Sequence, residues 1–164
     1  MRNVLFLALL TTTTACGNYE LADDFTTTLT QFQSCSNFVV ASDSDDSVMM
    51  VLSQTTDAWG PSKNFSFNFA DASPGAALYV ETGKFVAGDF CSDIPNDKLQ
   101  VKERYHATAG VATLTTGVET TLTGGASGYL ATWTLSDVVF ADEPDGAHEV
   151  IVAAWSQADI EIPK

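Results

Sequence analysis

His106 and His148 are the only imidazoles in this chain of 164 residues, so a general base working near neutral pH would have to be one of them. Neither stands in a recognisable catalytic frame. Ser127 has Gly125 two positions before it, but Tyr129 occupies the place of the second glycine in a G-x-S-x-G elbow. Gly124-Gly125-Ala126-Ser127-Gly128 therefore reads as a flexible loop ahead of a strand. With no serine and aspartate paired to either histidine, the expectation is a protein that is not an enzyme.

Metal chemistry has a better foothold. Asp142, Glu143 and Asp145, followed by His148 and Glu149, crowd oxygen donors into one short stretch. A hard cation such as calcium takes about six to eight oxygen ligands, which such a loop supplies in part. The plainer reading is a turn: Pro144 fixes φ, Asp145 bonds its own backbone and Gly146 accepts positive φ. Asp43, Asp45 and Asp46 form a second acidic loop, and Asp89, Asp93 and Asp97 a looser one. None has the D-x-[DN]-x-[DN]-G pattern of an EF-hand. Calcium is thus a minor expectation that gains weight if the fold brings two of these loops to one end.

Ligand binding has two further candidates. Lys98, Lys102, Arg104 and His106 share the parity of one strand face, making a cationic stripe on an acidic chain. Such a stripe suits an anionic sugar, a sulfate or an acidic partner. It equally suits a strand that keeps its edge charged against aggregation, neutralised by nearby carboxylates. Trp59, on a loop next to Gly60-Pro61, offers a flat ring for stacking on a carbohydrate, or a plug packed back over the end of the fold. Trp133 and Trp155 alternate with polar residues and read as core.

Composition limits the partners. Twenty-one acidic residues against seven basic ones give a formal charge of −14, and the hydrophobic fraction is 45%. A chain this apolar is folded in spite of its charge. Its field repels nucleic acid phosphates and anionic lipid, so no nucleic-acid partner is expected.

Arg2, the apolar run Val4–Leu10 and the small residues before Cys16 have the layout of an export signal. The run is far short of the roughly 20 residues that span a bilayer. Thr13-Thr14-Ala15-Cys16 resembles the lipobox of bacterial lipoproteins, with Thr13 where a large aliphatic residue is usual. The resemblance covers residues 1–16 and implies cleavage before Cys16, a lipid on that cysteine and attachment to the bacterial cell envelope; simple secretion is the alternative. With Cys16 acylated, Cys35 and Cys91 remain as an even pair for a disulfide in an oxidising compartment. Closing so long a loop is worth about 4 kcal/mol.

The elements that must carry these residues are strands. Phe38–Ala41 and Val48–Leu52 flank a polar loop as a hairpin, and Phe65, Phe67 and Phe69 alternate with polar residues. Thr82-Gly83 and Thr116-Gly117 are expected to turn two further hairpins. Tyr129, Ala131, Trp133 and Leu135 share a face until the phase breaks at Asp137, where a bulge is expected. Val150–Trp155 is apolar on both faces and is expected in the middle of the structure. Residues 17–33 lean to strand, yet their Thr-rich polarity reads as a tether.

The resulting expectation is a signal peptide at 1–15, a polar tether at 16–33 and one all-β domain at 34–164. Its architecture is a β-sandwich of about 8–10 short, mainly antiparallel strands, or else a partly closed β-barrel. Its expected role is display or protein interaction at the envelope. The alternative is an extracellular module binding carbohydrate or another ligand, possible calcium dependence included.

Overall fold

The computed structural model describes residues 20–35, 37–55, 59–85, 100–143 and 146–164. After a 3-10 turn at Phe25–Thr27 come β1 (Leu29–Cys35), β2 (Phe38–Asp43), β3 (Val48–Gln54), β4 (Asn64–Asn68) and β5 (Ala76–Lys84). Three long strands follow: β6 (Gln100–Thr121), β7 (Ser127–Asp142) and β8 (Glu149–Pro163). The all-β expectation holds. In place of two stacked sheets, the strands form one antiparallel sheet in the order β1-β2-β3-β5-β6-β7-β8, with β4 paired to β6. This is the barrel alternative, nearly closed.

Closure is made by side chains. The main path has seven strands, so β1 and β8, at its two ends, run in the same direction. They lie against each other, and the Ser34 hydroxyl donates to the Glu161 carbonyl at 2.9 Å. Behind that bond Trp155 fills the seam, its ring 6.4 Å from Phe32 and edge-on to Trp133 at 5.3 Å.

β6 is one strand of 22 residues where two hairpin arms were expected. Gly117 sits in a register shift between Thr116 and Glu119, and Gly83 in another between Thr82 and its neighbour in β5. Neither glycine turns a hairpin: Gly117 lies in a bulge of β6, and Gly83 faces another, whose extra residue is Lys102 of β6. A Cβ on Gly83 would lie 2.0 Å from the Gln100 carbonyl oxygen, so the neighbouring strand requires the missing side chain. The break expected at Asp137 is present, with φ +51° there and +88° at Gly110 across the ladder. Bent at this point, β6 pairs with β5 through His106 and with β4 from Val111 onward.

The interior is filled. Trp133, Tyr105, Phe25, Phe140, Met50 and Leu52 are fully buried within one cluster that also takes in Leu21 and Leu29. The expected tether is therefore corrected from residue 21 onward: those apolar side chains are core, and β1 begins at Leu29. A second, smaller cluster of Val40, Met49, Val51 and Phe85 packs on the outer face of β2 and β3. β8 is a terminal strand of the path instead of a central one, with Val150 and Val152 buried and Ile151 64% exposed.

Candidate functional site

The strand directions gather several connections at one end of the barrel. β1, β3, β6 and β8 begin there, while β2, β5 and β7 finish there. Backbone bonds tie the pieces together: Gly83 N–H to Ser47 O at 3.0 Å, Phe85 N–H to Asp46 O at 2.8 Å and Glu143 N–H to Arg104 O at 2.9 Å. The described chain starts at this end too, where the Leu21 N–H donates to the Tyr105 hydroxyl at 3.2 Å.

β6 presents two faces here. Tyr105 points inward, and its hydroxyl donates to Glu103 Oε2 at 2.7 Å. Burial, supplemented by the negative charge of Glu103, pushes the phenol up to about 12. Around it is an open cleft of about 190 Å³ lined by Glu20, Glu103, Tyr105, Asp142 and His148. His148 Nε2 lies 3.2 Å from Glu20 Oε1, and its ring stands edge-on to Tyr105.

The outward face carries Arg104 and His106 of the expected cationic stripe, and both are paired. Arg104 pairs with Glu81, whose side chain is only 5% exposed, and its guanidinium lies 5.3 Å from the centre of the Tyr79 ring. Burial alone would lower the Arg104 pKa, but the hydrogen bond and charge of Glu81 hold it above its ordinary value. His106 pairs with Glu143. Tyr79 is pushed up to about 12 by burial first and the Glu81 charge second. Lys102 is exposed near the start of β6, at the residue the register with β5 skips, and Lys98 lies outside the described residues. At Arg104 and His106 the neutralised version of the stripe is the one observed.

Trp59 corrects its expectation as a sugar platform. It is 3% exposed, edge-on to Phe65 at 5.0 Å and near Phe67, so it acts as the plug. β4, which follows the Trp59 loop directly, supplies the two phenylalanines that hold it.

The acidic loops do come to the same end, the condition set for a calcium site. The carboxylates of Asp43 and Asp142 are spent on turns. Asp43 Oδ1 accepts from the N–H groups of Ser47 and Val48 at 2.7 and 3.1 Å. Asp142 Oδ1 accepts from His148 N–H at 3.1 Å, and Glu143 turns to His106. Among the described residues no three His, Cys, Asp or Glu side chains form a group able to hold a metal ion. Asp145, Cys16 and Cys91 lie outside the described residues, while Cys35 ends β1.

The inward cleft escaped the sequence reading. Tyr105 was legible as an apolar-face residue, but Glu103 at the same parity gave no sign of bonding it, and Glu20 fell in the supposed tether. No family model matches the chain, and no match emerges among curated proteins or solved structures.

Proposed function

We propose that this chain is an exported, lipid-anchored barrel of the bacterial cell envelope whose work is display or protein interaction, without catalysis. The observation that carries the reading is the leader, Arg2 and Val4–Leu10 followed by Thr13-Thr14-Ala15-Cys16. The structure adds that the side chains most able to grip a small ligand are engaged with one another: Arg104 with Glu81, His106 with Glu143, Trp59 with Phe65. Loss of the Trp59 ring from the surface weakens the carbohydrate-binding alternative most. A partner is then met by an extended surface instead of a small-ligand pocket. A Cys35–Cys91 disulfide belongs to the same proposal as a brace suited to an oxidising compartment.

The deciding measurement is intact mass of the protein from its native membranes, before and after reduction. The expected mass corresponds to residues 16–164 plus acyl groups, rising by the mass of two hydrogens (about 2 Da) on reduction of one disulfide. An unmodified mature mass makes the chain a freely secreted domain and directs partner searches to soluble ligands.

A further inference from the structure

We propose that the anchored protein stands on its acidic end, with the cleft of Glu20, Glu103, Asp142 and His148 facing the bilayer and the opposite end presented outward. The inference rests on the lipid on Cys16 and concerns what the fold does with it. Residue 20 is already part of the barrel, through the Glu20–His148 pair and the Leu21 N–H bond to Tyr105. Only residues 17–19 separate Cys16 from Glu20. Fully extended, that stretch reaches at most about 14 Å. The expected long tether does not exist, because Leu21, Phe25 and Leu29 are buried in the core. A leash that short fixes which end of a rigid body lies nearest its attachment.

The two ends differ in charge. Among the described residues the leash end carries Glu20, Asp43, Asp45, Asp46, Glu103, Asp142 and Glu143, against the cations Lys84, Lys102 and the engaged Arg104. At the opposite end the Thr123–Ala126 turn and the last residue are near balance. There Lys164 bonds Glu119 at 3.2 Å, Glu161 accepts from Thr123, and Lys63 stands close by, its amide bonded to Thr116. An acidic face held within about 14 Å of lipid headgroups lies within one to two Debye lengths at physiological salt, about 8 Å each. It is therefore repelled by anionic lipid and tolerated by a zwitterionic surface. The occupant of this end is thus the bilayer itself, at a separation set by lipid charge and ionic strength. The outer end is the one a partner can reach.

The test uses the acylated protein, its lipid verified by mass, reconstituted in phosphatidylcholine vesicles carrying a lipid-linked acceptor dye. A fluorescent donor amino acid is incorporated in place of Asp45 at the leash end or Ala126 at the outer end. β8 alone, 15 residues long, extends roughly 50 Å along its path, so the two donors are well separated in depth. Energy transfer from position 45 is expected to exceed that from position 126 at least threefold (about the ratio such a separation allows). Exchanging phosphatidylcholine for phosphatidylglycerol at low salt should reduce transfer from position 45, and about 1 M salt, with a Debye length of about 3 Å, should restore it. Equal or reversed transfer in protein with a verified lipid overturns the orientation while leaving the anchor standing. Transfer indifferent to lipid charge overturns the electrostatic stand-off. A mass without acyl groups overturns the anchor and the orientation together.

Discussion

β2 and β3 on one side of the barrel and β7 and β8 on the other solve the same problem in opposite ways. The first pair is buried on both faces: Val39, Ala41, Met50 and Leu52 look into the barrel, while Val40, Met49 and Val51 pack in the outer cluster with Phe85. The second pair buries a single face. Trp133, Leu135, Val138 and Phe140 point inward, while Ser136, Ile151 and Ala153 are left in water. The corresponding sequences are a continuous apolar run and an alternation, and the continuous run is a reliable sign of two-sided burial. β8 shows its limit. Val150–Trp155 is equally continuous, yet Ile151 and Ala153 find nothing to pack against, because no second cluster forms on that side among the described residues.

The sharpest way to break the comparison is to delete the outer apolar atoms on both sides. Met49→Ala should cost about 2–3 kcal/mol, since the cavity opens inside a packed cluster. It should be read as a lowered urea midpoint at unchanged slope. A near-zero effect would mean that the outer cluster contributes little and that β2 and β3 are one-sided after all.

The paired charges on β5 and β6 come next. Arg104→Ala leaves the buried Glu81 carboxylate without its cation and should destabilise by about 2 kcal/mol. Adding Glu81→Gln should recover much of that loss in a double-mutant cycle. Additive losses would show that the two side chains act independently.

One tyrosine lies in the inner core and one packs against the outer cluster, and alkaline pH compares them. Tyr105 inside and Tyr79 on the outer cluster are both pushed up to about 12. A phenol raised above its unfolded value near 10 favours the neutral, folded form. Its contribution is complete below about pH 10 and is lost as pH rises through about 12. Tyr105→Phe and Tyr79→Phe should each flatten the fall in stability across that window, and the double variant should flatten it most. An unchanged alkaline profile in either single variant would remove that tyrosine from the account. The smallest change is expected from Ile151→Ala, within about 0.5 kcal/mol, as its side chain is already largely in water. A loss as large as that of Met49→Ala would show that the outer face of β8 is covered in solution.

Much of the fold was legible in short-range pattern. The Phe38–Leu52 hairpin, the alternation of β4 and the break at Asp137 each follow from residue periodicity and turn chemistry, which act within a few positions. The Asp43 loop was legible as a turn because its carboxylate reaches its own neighbours, Ser47 and Val48. Of the candidate site, Lys102, Arg104 and His106 do lie on one strand, β6. The partners Glu81 and Glu143 were not legible, being set by inter-strand register, which composition does not encode.

The sequence by itself determined the strand-rich class, the acidic charge and the inward identity of Trp133 and Tyr105, because these depend on local period and on apolar area. Only the tertiary structure decided that Gly83 and Gly117 lie within strands, that Trp59 is a plug and that Leu21, Phe25 and Leu29 belong to the core. A Thr-Gly pair has the same local freedom in a turn and in a bulge, and it takes the neighbouring strand's backbone to choose between them. The closure of one sheet at β1 and β8 has the same origin: Phe32, Ser34, Trp155 and Glu161 meet only after every intervening strand has been laid down.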